Sequence, residues 1–366
     1  MERNIHLKAF DDGTKAKLSI FKDYLREWLP VFISKKDIFW RTINIYDFFA
    51  GPGEDINGVK GTPNIILDEL IVHHADIISK NLNVNLYFNE FDNEKFLRLN
   101  NLLSTVDNEK NPFKIEVDCL DFKVAFVKKI NELKSKDVAN LLFLDQNGIK
   151  HIGEEVFKEI IQIKRTDFLF FISSSTIKRF CDHPNILQHI KLSKEEVKKT
   201  PYHQIHRLVL EYYRELIPKT TEYYLAPFSL RKGSGVYGII FGSSHVLGIE
   251  KFLTTCWKLD PDRGEANFDI DNDNIKVGQF DMFTGSIAKP KKIEFFENDL
   301  YENILTKKLK NDKEIYLFTL SNGFLPKHAK SVIKELISNN KIQNVDLNLS
   351  SKICQKTALL TAIKVN

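Results

Sequence analysis

The sequence predicts an α/β protein in which a mostly parallel sheet of seven strands, covered by helices on both faces, is followed by a smaller C-terminal domain. Five short apolar runs, at 43–50, 84–90, 113–118, 140–145 and 167–173, are separated by helix-length stretches. Parallel neighbours need a crossover about as long as a helix, so this alternation reads as a parallel sheet. Two further runs, 221–230 and 236–244, are divided only by the turn signal "RKGSG". They are too close for a crossover and read as an antiparallel pair at the sheet edge. A composition of 43 % hydrophobic and 28 % charged residues over 366 positions is that of a soluble globular chain long enough for a large core.

The first element is a helix over 14–34, where Leu18, Phe21, Leu25, Trp28, Leu29 and Phe32 recur at spacings of three and four. That is the period of an amphipathic helix, and its aromatic stripe is core packing. The seven strand runs follow, and then residues 245–258, which also read as helical. Residues 260–290 turn rich in Asp, Asn and Gly and read as an irregular excursion before a boundary near 295. The expected domains are therefore 1–295 and 296–366. Asp269, Asp271 and Asp273 suggest calcium, but the run lacks the glycine and distant glutamate of an EF-hand loop, so it reads as a solvated loop. In the tail, a helix near 299–310, a strand at 314–320, a helix over 326–339 opened by Pro326, and late strand candidates at 341–348 and 358–365 make a winged-helix plan.

The net charge of +4 permits a polyanionic partner without demanding one. From Asp299 onward, however, eleven lysines face six acids, a local charge of +5. Cys119, Cys181, Cys256 and Cys354 stand far apart with no C-x-x-C pair, which argues against a cysteine-built metal centre and suits a reducing compartment. The start carries acids where a signal peptide needs an apolar core, and no stretch reaches the roughly 18 apolar residues of a membrane span. A cytoplasmic protein with no membrane partner is expected.

The first strand runs into "YDFFAGPGED" at 46–55. Gly51 and Gly53 would let backbone N–H groups approach a ligand, and Asp47 at the strand's carboxyl end would accept from a positively charged amino group. A phosphate loop would need its G-K-[ST] lysine, which is absent, and G-x-G-x-x-G is incomplete because residue 56 is Ile. Glu90 ends the second strand, where an acid can take both ribose hydroxyls. Asp121 could accept from an adenine amino group while Phe122 packs on the base. Asp145 leaves the fourth strand before an Asn-Gly turn. Any one such acid can equally cap a helix or turn; four in successive strand ends point to a nucleoside-bearing ligand with a cationic group.

The run Asp47 to Gly53, with Glu90, Asp121-Phe122 and Asp145, resembles the four sequential motifs of class I S-adenosylmethionine-dependent methyltransferases. More narrowly, "DDGTKAKLSIFKDYL", "YDFFAGPGED", "FNEFD", "ISSSTIKRF" and "NGFLPKHAKSVIKEL" are similar to the three-Cys-motif partner protein family, TcmP, over most of the chain. The resemblance implies a Rossmann-like methyltransferase domain with a C-terminal winged helix and S-adenosyl-L-methionine as cofactor. It also implies cofactor contacts from Asp47, Phe49, Ala50, Gly51, Pro52, Gly53, Glu90, Asp121 and Phe122, and a partner carrying three cysteines that is related to radical-S-adenosylmethionine enzymes. One departure stands out. Amine methyltransferases carry an aromatic in the fourth-strand tetrad, Asp-Pro-Pro-Tyr, whereas this chain has Asp145-Gln146-Asn147-Gly148. Asp145 would orient the acceptor with Asn147 beside it, and a stacking ring would have to come from elsewhere, such as Phe180.

Ser173, Lys178 and Arg179 follow the fifth strand and are expected either to contact a substrate phosphate or to form an N-cap and a solvated basic turn. Lys15 and Lys17 on the first helix could reach the cofactor region or simply be solvated. His203 and His206 have metal-like spacing but no visible third ligand, so they read as packing residues. Lys327, His328, Lys330 and Lys334 share one helix whose basic face could lie on nucleic acid. The expected function is methyl transfer to a nucleic acid. The alternative is a non-catalytic S-adenosylmethionine-binding specificity or scaffold subunit for the three-Cys-motif partner.

Overall fold

Every residue of the strands Val138–Leu144 and Thr166–Ile172 is buried, because helices cover both faces of the sheet in which these strands sit centrally. The computed structural model describes residues 9–36, 39–106, 111–146, 153–183, 191–233, 235–276, 278–282 and 285–366. They form two units, Met1–His245 and Val246–Asn366. The division falls well before the boundary expected near 295.

In the first unit the order is α1 (Asp12–Phe32), β1 (Thr42–Asp47), α2 (Thr62–Val72), α3 (His74–Ser79), β2 (Asn83–Asn89), α4 (Asn93–Ser104), β3 (Phe113–Asp118), α5 (Phe122–Leu133), β4 (Val138–Leu144), α6 (Glu154–Ile161), β5 (Thr166–Ile172), α7 (Ser174–Arg179), α8 (Lys194–Lys199), α9 (Ile205–Glu215), β6 (Tyr224–Lys232) and β7 (Gly235–Ser243). The sheet order is β3-β2-β1-β4-β5-β7-β6. Strands β1 to β5 pair in parallel, and β7 runs antiparallel to both β5 and β6. This is the mostly parallel, Rossmann-like sheet of class I methyltransferases, with the antiparallel pair where the two closely spaced runs predict it. The order reverses between β1 and β4, and in open α/β sheets such a reversal leaves a crevice beyond the strands' carboxyl ends.

One sheet face packs Tyr46, Phe48, Leu142, Leu144, Phe168 and Phe170 against α5, α6 and α9, through side chains such as Phe126, Phe157 and Tyr213. On the other face α1 lays its aromatic stripe: Phe21 meets Phe143 at 4.6 Å and Tyr24 meets Phe241 at 4.9 Å between ring centroids. Helix α1 opens with Asp11 accepting from the Thr14 amide, and the Phe10 amide donates to Asp55 at 2.6 Å. That second bond ties the start of α1 to the loop after β1. At mid-helix the Tyr24 hydroxyl donates to the buried Asp167 at 2.7 Å, and burial pushes the Asp167 carboxyl up to about 6.

His206, buried on α9, sits where Gly238 of β7 leaves room; a Cβ there would lie 2.6 Å from the histidine Cβ. It is a packing residue, as expected. Residues 269–273 meet a guanidinium: Arg263 pairs with Asp269 and with Asp273.

In the second unit, α10 (Val246–Leu259), a two-residue hairpin of β8 (Phe280–Asp281) and β9 (Ser286–Ile287), α11 (Lys291–Leu305), α12 (Asp312–Ser321) and α13 (Pro326–Ser338) follow in order. Residues 314–320 are helical, not the expected strand. Asn311 caps the helix by accepting from the Glu314 amide, Asp312 and Glu314 lie in its first turn, and Ile315, Tyr316, Thr319 and Leu320 are buried along one stripe. Capping and a 3.6-residue apolar period outweigh the aromatic, strand-like composition. The late strand candidates reduce to bridges between Ile342 and Val365 and between Asn311 and Ala362. Three helices and this short ladder constitute the winged helix.

Replacing Tyr24 with Phe should cost about 1–3 kcal/mol, because Asp167 would lose a donor inside the core. Urea unfolding of the two proteins at neutral pH measures this; equal midpoints would show that the bond does not hold α1 in place.

Candidate cofactor and acceptor site

The loops beyond β1, β2 and β3 are stitched together by one buried carboxamide. Asn89 donates to the carbonyls of Phe48 at 3.3 Å and Leu120 at 2.9 Å, and accepts from the Leu120 amide at 3.1 Å. Its own carbonyl accepts from the Ala50 amide. The turn after β1 is thereby pinned above the second and third strand ends. Within that turn Gly51 and Gly53 have φ of +63° and +86°, left-handed values that side chains other than glycine rarely take. A Cβ on Gly53 would also fall 2.5 Å from Leu102 Cδ2. Ala50, Gly51, Pro52 and Gly53 are all buried.

Glu90 holds the turn from the side. Its carboxylate accepts from the Gly51 amide and the Asp92 amide, each at 2.9 Å. It is half-buried, and burial raises its carboxyl above the ordinary range. Each carboxylate oxygen still has a lone pair for a further donor. The residue after it, Phe91, is 71 % exposed, a bare ring beside a strand-end acid. Its signal in the sequence is the aromatic directly following Glu90 in "FNEFD".

Asp47 is wholly buried. One oxygen accepts from the Phe49 amide at 3.0 Å; the other has only the approach of the Thr62 hydroxyl, short of a well-formed bond. Burial pushes this carboxyl up to about 7, with nearby Asp145 raising it further and Lys17 lowering it. A buried carboxylate so poorly supplied with donors can accept from a cationic or hydrogen-bonding group.

Asp121 is exposed and caps α5, accepting from the Lys123 amide at 2.9 Å. Phe122 is 2 % exposed and lies in the core against Phe48 and Phe126. Phe49 is half-buried and stacks on Phe122 at 5.2 Å between centroids.

On the far side of the reversal, Asp145 follows β4 directly and pairs with Lys17 of α1, whose ammonium also lies 5.3 Å from the Phe171 ring of β5. The side chains of Lys17 and Asp145 keep 19 % and 26 % of their surface. The lysine that could as well have been solvated therefore reaches the crevice. Asn147 and Gly148 lie outside the described residues.

Ser173 is the N-cap of α7, accepting from the Thr176 amide. Lys178 is not available to a phosphate: its ammonium donates to the carbonyls of Val197, Lys198 and Thr200, closing the end of α8. Those carbonyls lack helical partners and out-compete solvent for the charge. Arg179 and Phe180 are exposed, with the guanidinium over the ring at 6.0 Å.

On α13 the side chains of Lys327, Lys330 and Lys334 are exposed while Ala329, Val332, Ile333 and Leu336 are buried. His328 does not add to the basic face. Its ring packs on Trp257 at 4.2 Å, its Nδ1 accepts from the Leu325 amide, and burial, aided by Lys327, lowers it to about 4, so it is neutral at pH 7.

Residues 269–348 match the family described as the GMT-like wHTH domain. No curated protein matches the sequence. Among solved structures, Trm1 from Pyrococcus horikoshii in complex with S-adenosyl-L-methionine is similar over 97 % of this chain and 91 % of its own, at 11 % identity and a TM-score of 0.37. A SAM-dependent methyltransferase from Agrobacterium tumefaciens covers 61 % and 60 % at 9 % identity and TM-score 0.32. Spermidine synthase from Thermotoga maritima covers 66 % and 62 % at 15 % identity and TM-score 0.32. Likenesses of this size carry no weight of their own; the fold rests on the strand order. Among the described residues, no helix is long and apolar enough to cross a membrane, and no group of three or more His, Cys, Asp or Glu could hold a metal ion.

With its folded value near 7 against about 4 when unfolded, Asp47 holds its proton longer in the native state. Its contribution to stability is full below pH 4 and disappears as pH rises through 7. Asp47→Asn should therefore gain on the wild type by up to about 1.4 kcal/mol per pH unit across that window. Urea midpoints of the ligand-free proteins at pH 5 and pH 8 test this, and a constant difference would contradict it.

Proposed function

We propose that the protein is an S-adenosylmethionine-dependent methyltransferase that acts on nucleic acid. The observation that carries this is the grouping of Asp47, Glu90 and the Gly51–Gly53 turn beside the reversal of strand order, with Asp145 across from them. The set of hydrogen-bond acceptors suits the cofactor. Asp47 offers a buried acceptor to the methionine amino group, Glu90 offers two oxygens to the ribose hydroxyls, and Asp121 offers one to the adenine amino group, with Phe49 and Phe91 as rings beside the base. When bound, S-adenosylmethionine supplies a methyl group already activated by sulfonium. The chain's own residues orient the acceptor, exclude water and remove a proton; alignment supplies most of the rate. Asp145 is the acceptor-side carboxylate. The winged helix, with Lys327, Lys330 and Lys334 on one face, serves as the docking module, its lysines positioning on phosphates.

A second reading has its own support. The tetrad at 145–148 lacks an aromatic, and Asp145 is engaged by Lys17. Both suit a non-catalytic S-adenosylmethionine-binding subunit. In the three-Cys-motif partner family, which the sequence resembles, that subunit would serve a radical-S-adenosylmethionine-like protein. Methyl transfer by the isolated chain separates the two readings.

Isothermal titration with S-adenosylhomocysteine should show binding that weakens about 10- to 100-fold in Glu90→Ala, because each charge-assisted bond is worth about 1.5–3 kcal/mol. Phe91→Ala should lose less, about 3- to 10-fold, in line with one aromatic contact. Unchanged affinity in both would remove the site assignment.

The docking role is tested by salt. Alanine at Lys327, Lys330 and Lys334 together should weaken binding to total RNA and flatten the logarithmic salt dependence by about 0.7–0.9 per lysine removed. A slope equal to the wild type would show that this face is merely solvated.

A further inference from the structure

The pairing of Lys17 with Asp145 says more about the acceptor than either residue alone. Lys17 comes from α1 and Asp145 from the end of β4, and two anchors hold them together: the Phe10–Asp55 bond at the start of α1 and the Tyr24–Asp167 bond about two turns beyond Lys17. Both charged ends stay partly accessible at the crevice, and both act on buried Asp47. The acceptor side therefore presents a cation and an anion side by side.

We propose that the acceptor is a hydroxyl group and, on the reading that the protein methylates nucleic acid, the ribose 2′-hydroxyl of RNA. Valence and charge both favour a hydroxyl. A hydroxyl oxygen has two lone pairs and one proton. It can accept from the Lys17 ammonium through one lone pair, attack with the other, and give its proton to Asp145. An exocyclic amine has only one lone pair to offer, the one that must attack, so an ammonium donating to it would block the reaction. The charge that develops also differs: oxygen becomes more negative as its proton leaves, which Lys17 stabilises, whereas an amine becomes positive as it is alkylated, which Lys17 opposes. The missing aromatic at 145–148 agrees, since a sugar hydroxyl needs no ring stacked on a flipped base. In nucleic acids the 2′-hydroxyl is the group that distinguishes RNA along the whole chain.

In the transfer an oxygen–carbon bond forms to the methyl group while the donor's carbon–sulfur bond breaks. The bonding pair stays on sulfur, leaving a neutral thioether, and the hydroxyl proton passes to Asp145 and on to water. Lys17 remains an ammonium throughout.

The test incubates the full chain with methyl-labelled S-adenosylmethionine and, separately, total RNA and genomic DNA, then digests each to nucleosides. Label in 2′-O-methylnucleosides, with alkali-resistant dinucleotides from the same RNA, is the expected result. Label on a base, or in DNA, would overturn the hydroxyl assignment while leaving the methyltransferase reading intact; label in neither would overturn both. Lys17→Met should lower transfer about 100-fold, the scale of losing one donor to a developing oxyanion. It should still bind S-adenosylhomocysteine within about threefold by titration, and Lys17→Arg, which keeps the charge, should recover part of the rate. Should Lys17→Met not fold, Lys17→Arg and Asp145→Asn carry the test through their rates. Transfer undiminished in the variants that fold would sink the proposal.

Discussion

The reversal of strand order between β1 and β4 governs where this sheet can hold a ligand. Strands to one side of that point send their crossover helices over one face, and strands to the other side send theirs over the opposite face, which leaves a gap between the crossovers above the carboxyl ends. Asp47 ends β1 and Asp145 follows β4. The two acids flank the gap because the topology leaves their strands adjacent, with Asp47 in register with Phe143.

The site's shape depends on very few bonds. Asn89 fixes three loops at once, and Glu90 fixes the glycine turn to the loop after β2. This pre-organisation has an energetic counterpart in Asp47, which is buried with too few donors and is costly in the ligand-free state. A cationic group placed there would relieve that cost and gain affinity from it. α1 completes the arrangement from outside the sheet. It brings a lysine 128 residues distant in sequence onto Asp145, which ties the first helix of the chain to the chemistry expected at the fourth strand.

Much of this was legible in the sequence, and the parts that were not share a cause. Strand runs, strand-end acids and glycine positions are local signals, and the five parallel strands and the antiparallel pair form where those signals lie. Residues 314–320 were misread because Ile, Tyr, Leu and Phe suit a strand by composition, while the Asn311 cap and the four-residue burial stripe that decide for a helix are subtler. The sequence leaves Lys178 open between a phosphate contact and a solvated turn, because its carbonyl partners belong to the end of a later helix, a contact no spacing rule encodes. Lys17 carried no local mark separating it from Lys15. Phe122 was placed on the ligand by its position after Asp121, but a buried ring one turn from Phe126 belongs to the core.

The proposed function needs a sulfonium nucleoside lying across the tips of β1, β2 and β4. A crystal structure of the full chain grown with S-adenosylhomocysteine tests it most directly. The expected result is the ribose hydroxyls on Glu90, the amino group within hydrogen-bond distance of Asp47, and the sulfur facing the Lys17–Asp145 pair. A ligand bound elsewhere, or a crevice left empty at saturating ligand, would contradict it.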